Sequence, residues 1–215
     1  MRVLIITILL LSFTIMGGIA WLHHTPQGKQ FTAVGLNKTL PPSPINNTIS
    51  KKLSLKAKEA RSFIAKSEFN GTLCFLIDMS VPSNKPRFFV YDLKKDTIIR
   101  LGLVTHCRCN QDWLEGRQYS NQVGGGCTSL GKYRVGYSYS GRFGLAFKLY
   151  GLDKTNSNAF KRFVVLHSHE CVPENEAVNE ICQSDGCPTV SPGFLLELKP
   201  MIKNSEKPVL LWIYE

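Results

Sequence analysis

The sequence predicts a mainly antiparallel β domain with peripheral helices, set behind an apolar amino-terminal segment. Two observations predict it: many short apolar runs divided by turn residues, and a helical spacing confined to two stretches beside them. At 215 residues the chain suits one globular domain with a sizeable core, plus accessory segments. Its hydrophobic fraction of 43% is ordinary for a folded protein.

The accessory segments come first. Val3 to Leu22 carry no charge and follow Arg2 and the free amine; about 20 such residues cross a hydrocarbon core as a helix. Positive charge on the short side predicts a cytoplasmic start and an exported remainder. A cleaved signal peptide is the competing reading, with Gly18-Ile19-Ala20 as its cleavage site. The run exceeds the ~7–15 apolar residues of a signal core, which favours an uncleaved anchor over residues 1–22. Residues 23–50 carry Pro26, Pro41, Pro42 and Pro44 among Asn, Thr and Gly and read as a flexible tether. Residues 51–215 remain as the folded domain.

From Lys51 to Ser67, Leu53, Leu55, Ala57, Ala60, Phe63, Ile64 and Ala65 recur at mostly helical spacing among lysines. Asn70-Gly71 then turns the chain into strand-like runs. Strands are predicted over Leu73–Asp78, Arg87–Asp92, Thr97–Val104, Gly131–Tyr139, Leu145–Tyr150, Arg162–Leu166 and Val209–Tyr214. Pro82-Ser83-Asn84, Lys94-Lys95-Asp96, Ser140-Gly141 and Thr155-Asn156-Ser157-Asn158 separate several of them. Phe194 to Ile202 reads as a second helix, opened by Pro192-Gly193.

The formal charge of +10 implies an anionic neighbourhood. No basic–aromatic nucleic-acid motif is visible, and an exported protein rarely meets nucleic acid, so that partner is excluded. A carboxylate-rich polymer such as bacterial peptidoglycan fits the charge better.

Chemistry concentrates in Ser184-Asp185-Gly186-Cys187-Pro188 and in His167, 187 − 167 = 20 residues earlier, at the end of the apolar run Phe163-Val164-Val165-Leu166. Only a thiolate attacks, so a catalytic cysteine needs a neighbour that takes its proton or lowers its pKa. Gly186 permits a sharp turn and close approach of a substrate. Successive N–H groups around Ser184–Cys187, in the loop of Ser184, Asp185 and Gly186, are candidates for an oxyanion hole, and Pro188 stiffens the exit. His167 and His169 share a face if the strand continues, and spacing alone leaves both open as the base.

In order along the chain come Phe75-Leu76-Ile77-Asp78-Met79-Ser80-Val81-Pro82-Ser83, Arg87 to Leu93, Val104-Thr105-His106 and Tyr119-Ser120-Asn121. Ser129-Leu130-Gly131-Lys132-Tyr133, Gly144 through Leu152, Arg162 to Ser168 and the Ser-x-Gly-Cys element follow. This ordered set, from about Leu73 onward, resembles the L,D-transpeptidase catalytic-domain family (YkuD-like), in its murein L,D-transpeptidase branch. The resemblance implies a β-sandwich or open barrel and a cysteine enzyme acting on peptidoglycan stem peptides. It matches Cys187 to the family nucleophile and His167, followed by Ser168, to the base, ranking His167 above His169. In the family a backbone carbonyl orients that base, so no Asp or Glu is assigned to it.

The implied reaction has two steps. Cys187 attacks the carbonyl of the third, diamino residue of a tetrapeptide stem and expels D-alanine; the thioester then passes to the side-chain amine of a second stem. With water as acceptor the same site is an L,D-carboxypeptidase. A catalytically silent peptidoglycan-binding module is the reading from another class. The expected place is the periplasmic side of the inner membrane, held by the amino-terminal helix, or export. No cofactor or metal is implied. Ser168, Tyr137 and Arg162 are candidate substrate contacts, with a structural ion pair as the other reading of Arg162. Two departures stand beside the nucleophile: Asp185, where many members of the family carry His although the nearer branch varies there, and Cys182-Gln183, where that branch usually has Gly-Arg.

Exported chains permit disulfides. With Cys187 free and Cys74 packed in a strand, Cys171–Cys182 would staple the loop between base and nucleophile, and Cys127 would pair with Cys107 or Cys109. Zinc held by these cysteines with His106, His167 or His169 is disfavoured, because Cys-x-Cys is tighter than the ~2–4 residue gap of zinc knuckles.

Overall fold

A computed structural model describes residues 47–215. The anchor expected over residues 1–22, and all but the last four residues of the expected tether, lie outside them. Those last four are helical: α1 spans Asn47–Ile64. Among the described residues no helix is long and apolar enough to cross a membrane.

Leu53, Ala57, Ala60 and Ile64 repeat at intervals of four, three and four, which puts them on one stripe of α1. That stripe is buried against Cys74, Leu76, Phe89, Tyr91 and Leu210. Those residues line one face of strands β1 (Leu73–Asp78), β2 (Phe88–Asp92) and β8 (Leu210–Tyr214). The alternate residues Phe75, Ile77, Phe88, Val90, Leu211 and Ile213 turn to the other face and build the main core.

The remaining strands are β3 (Thr97–Gly102), β4 (Gly131–Gly141), β5 (Gly144–Gly151), β6 (Val165–Ser168) and β7 (Thr189–Val190). They join one sheet of order β3-β2-β1-β8-β4-β5-β6-β7. β8 runs parallel to β1 and β7 parallel to β6; the other neighbours are antiparallel. Beyond β3 the chain continues to the far edge: Val104 bridges Val190, and the Thr105 N–H donates to the Thr189 carbonyl at 2.9 Å. The two ends of the sheet therefore meet and curl it around the core, as an open barrel would.

Helix α2 (Pro192–Lys203) fills that core with Phe194, Leu195 and Leu198. Phe194 meets Phe88 edge-on, with ring centres 5.3 Å apart. It lies so close to Gly102 that a Cβ there would stand 2.6 Å from the ring. Ser191 caps the helix by accepting from the Phe194 N–H. The Ser191 hydroxyl and the Gly193 N–H both donate to Glu174, at 2.6 and 2.7 Å. An acidic group at a helix amino terminus is favourable, and here it moors the loop between His167 and Cys187.

Two expectations are corrected. The run predicted as a strand over Arg162–Leu166 begins only at Val165, because Phe163 adopts φ +55 and ends a turn. β7 has no counterpart in the sequence reading; at two residues it carries too short a pattern to register.

Candidate active site

Strand pairing brings His167, the expected base, beside the segment that leads out of Cys187, the expected nucleophile. β6 and β7 run parallel with His167 opposite Thr189. Val165, His167 and Thr189 share a face of the sheet, and Cys187 stands two residues before Thr189, in the bend that leads into β7. The Cys187 thiol is half-buried and donates to the Phe163 carbonyl at 3.8 Å. The left-handed backbone of Phe163 is what turns that carbonyl toward the sulfur. Burial pushes the thiol pKa up, helped by the nearby Asp185 charge; the Val165 backbone and the Arg162 charge act against them.

His167 is buried, and its Nδ1 lies 3.0 Å from the Ser168 carbonyl. A carbonyl only accepts, so Nδ1 carries the ring proton and Nε2 keeps its lone pair. Nε2 faces the Thr189 hydroxyl at 3.1 Å. Burial holds the imidazole below the ordinary histidine range, and His169 adds to this against the pull of the Ser168 carbonyl. The resting pair is therefore a neutral thiol and a neutral imidazole. Phe143, at the tip of the β4–β5 hairpin, stacks on the His167 ring at 5.0 Å and meets His169 edge-on at 5.5 Å. His169 lies past the end of β6, and its Nδ1 accepts from the Cys171 N–H at 3.1 Å.

The loop holding the nucleophile is gripped on every side. Its Ser184 N–H donates to the His106 carbonyl at 2.8 Å, and the Arg108 N–H returns to the Ser184 carbonyl at 2.9 Å. Arg108 also pairs with Asp185 at 2.7 Å. The Ser184 hydroxyl donates to the Cys187 carbonyl at 2.7 Å and accepts from the Gly186 N–H at 3.2 Å. Thr105 and Thr189 hydroxyls both reach the same Cys187 carbonyl at 3.3 Å. Gly186 has φ +105 and lies against the Cys127 carbonyl. Of the expected oxyanion donors, the Ser184 and Gly186 N–H groups are thus already engaged. Among the described residues the N–H groups of Asp185 and Cys187 have no acceptor.

Arg162 supports the opposite wall. Its guanidinium donates to the Ser120 carbonyl at 2.9 Å, to the Ser129 hydroxyl at 3.0 Å and to the Cys127 carbonyl. It is a strut between the 120–129 loop and the nucleophile rather than half of an ion pair. Ser168 contributes its carbonyl to His167. Tyr137 is exposed at the irregular register of β4, and no contact brings it to Cys187 or His167. Gln183, which stands where the branch has Arg, spends its amide on the Leu114 N–H and carbonyl, both at 2.8 Å.

The cysteines pair as Cys109–Cys127 and Cys171–Cys182, leaving Cys74, Cys107 and Cys187 free among the described residues. Cys74 is buried in β1 under α1. The sulfurs of Cys107, Cys109 and Cys127 lie within 4.8 Å of one another, with Cys107 3.4 Å from Cys109. None of the three histidines weighed beside them joins that group.

Thr189 and Thr105 went unremarked in the sequence reading. The signal for Thr189 was its alternation with Cys187 across Pro188. Nothing local marked Thr105, whose role comes from the closure of the sheet.

His106 beneath this loop is buried, with Nδ1 3.2 Å from the Arg87 guanidinium. Burial first, then the Arg87 and Arg117 charges, hold its pKa down to about 4. Between the ordinary value near 6.5 and about 4, the unfolded chain binds a proton that the folded one refuses. Stability is therefore complete above pH 6.5 and falls on acidification, by about 3 kcal/mol at pH 4 from this group. Denaturant melts across that range in the wild type and His106→Gln check this; the histidine's share of the loss disappears in the variant.

No curated protein matches the sequence. The profile of the L,D-transpeptidase catalytic domain matches residues 45–214. Similar solved structures include an L,D-transpeptidase from Xylanimonas cellulosilytica DSM 15894, at 14% identity and a TM-score of 0.38, covering 69% of this chain and 62% of that one. Another is the helical cell shape determining protein Pgp2 from Campylobacter jejuni, at 14% identity and a TM-score of 0.38, covering 75% of this chain and 56% of that one. The chain thus spans less than two thirds of either structure's length.

Proposed function

The chain belongs to the L,D-transpeptidase catalytic-domain family, and from that premise we propose that it is a cysteine acyltransferase of peptidoglycan stem peptides. One observation carries the reading: a half-buried thiol two residues before Thr189, whose hydroxyl meets the Nε2 lone pair of an imidazole that has its Nδ1 committed to a carbonyl.

The Thr189 hydroxyl has one proton and two acceptors, His167 Nε2 at 3.1 Å and the Cys187 carbonyl at 3.3 Å. Turning that proton to the carbonyl frees the Nε2 lone pair, which takes the thiol proton as substrate settles. The thiolate attacks the carbonyl of the third residue of a tetrapeptide stem. Charge gathering on that oxygen meets the unengaged N–H groups of Cys187 and Asp185. A carbon–sulfur bond forms, the bond to D-alanine breaks, and His167 returns its proton to the leaving amine. The side-chain amine of a second stem then displaces Cys187; water in its place gives L,D-carboxypeptidase action. Residues 1–22 would hold the domain at the outer face of the inner membrane, with the tether giving it reach.

Purified protein incubated with disaccharide tetrapeptides tests this. Release of D-alanine with a dimer joined through third residues supports transfer, and release without dimer leaves the carboxypeptidase. Stem binding that is unchanged in Cys187→Ala, with no turnover in the wild type, would leave only a silent binding module.

A further inference from the structure

We infer that Lys148 binds a carboxylate of the donor peptide while Cys187 attacks it, an inference that rests on the acyl-transfer reading above. Along β5, Phe147 and Leu149 enter the core, so Lys148 is carried on the opposite face. Lys148 pairs with Val165 across β5 and β6. Val165 in turn lies on the face that carries His167 and Thr189. The lysine is thus on the imidazole's side of the sheet.

Its ammonium is held by aromatic rings rather than by a carboxylate. It lies 4.5 Å from the centre of the Tyr139 ring, and 5.8 Å from those of Phe160 and Phe163. Phe163 links cation to nucleophile, because its carbonyl is the acceptor of the Cys187 thiol. Among the described residues Lys148 has no ion-pair partner, and neither do Arg134 over Tyr150 or Arg142 over Phe143. Asp153 is taken by Lys132 and Asp185 by Arg108. Surface lysines gain little from holding one geometry in water. A lysine resting on three rings, partly desolvated and lacking a counter-ion, instead awaits an anion that substrate can bring. Lys148 is chosen over the two arginines because its cage alone shares a residue with the thiol.

A tetrapeptide stem whose third residue is a diamino dicarboxylic acid offers two carboxylates near the attacked carbonyl: the terminal carboxylate of the departing D-alanine, and the one on the side chain of that third residue. The test measures D-alanine release by the full chain, its Lys148→Met and Lys148→Gln variants, and Lys148→Arg. Lys148→Met keeps the apolar stem against Tyr139 and Phe160. It is expected to raise KM about tenfold while kcat changes less than about twofold, Lys148→Gln behaving alike and Lys148→Arg recovering most of the loss. Stems amidated at one carboxylate or the other then identify the partner, since the difference between wild type and Lys148→Met vanishes only when the bound group is neutral. Wild-type KM in both neutral variants, on a substrate the wild type turns over, overturns the inference. A difference that persists on both amidated stems does so as well. A wild type that releases no D-alanine overturns the function on which it rests.

Discussion

Exchange of the Cys187 sulfur for oxygen, as Cys187→Ser, leaves the fold in place and removes acylation. The side chain is half-buried and meets only backbone groups, of Phe163 and Val165, that a hydroxyl can also satisfy, so stability should stay within about 1 kcal/mol of the wild type. Mass spectrometry after carbapenem treatment should find an adduct on the wild type and none on the variant. His167→Gln keeps the thiol but loses the proton acceptor, and acylation should slow by about 10²–10⁴-fold. The pH profile carries the sign of the mechanism. Burial holds the imidazole below its ordinary range and the thiol above its own, so the reactive form of the pair is neutral with neutral. Acylation by the wild type should therefore fall only as pH drops below the ordinary histidine value near 6.5. In His167→Gln the residual rate should instead climb with pH past the ordinary cysteine value of about 8.5, following free thiolate. Rates in the wild type that track thiolate alone would remove His167 from the mechanism.

Gly186→Ala should damage both stability and acylation. Its Cβ would stand 2.5 Å from the Cys127 carbonyl oxygen and 3.1 Å from Arg162 Nη2, at a backbone φ of +105 that side chains rarely adopt. Strain of this kind costs about 1–3 kcal/mol. The carbonyl cannot yield without also loosening the Arg162 contacts that hold the neighbouring loop. A loss of about 3 kcal/mol in denaturant melts and about 100-fold in acylation is expected, since small misplacements of a nucleophile are costly. Gly71→Ala is the control: nothing lies within 4 Å of its Cβ, and both measurements should stay near wild type.

The order of elements was legible because turn residues and apolar runs report local structure directly. The helical stripe of Leu53, Ala57, Ala60 and Ile64 and the strand Leu73–Asp78 stand where spacing places them. What the pattern could not carry was pairing. Nothing local tells that β8 enters between β1 and β4, or that Val104 crosses to Val190. Cys171 and Cys182 pair as expected, whereas Cys127 was left to either Cys107 or Cys109 and bonds Cys109, whose backbone is left-handed at φ +50. The site shows the same division. Ser184, Gly186, Cys187 and His167 carry their chemistry in their names. Thr105, Phe143 and Lys148 acquire theirs from neighbours far away in sequence.

The position of β8 also has a consequence in time. β1, β2 and β3 form one local meander, and β4, β5 and β6 another, each able to pair as soon as it is made. β8 lies between the two, parallel to β1 on one side and antiparallel to β4 on the other. Until Leu210–Tyr214 have left the ribosome the halves have no shared strand, and the wall from Thr105 to Arg108 has no fixed relation to the loop it grips. Such late, long-range closure is slow compared with hairpin formation. The loop of Cys187 thus acquires its fixed walls only once β8 has entered between the two meanders.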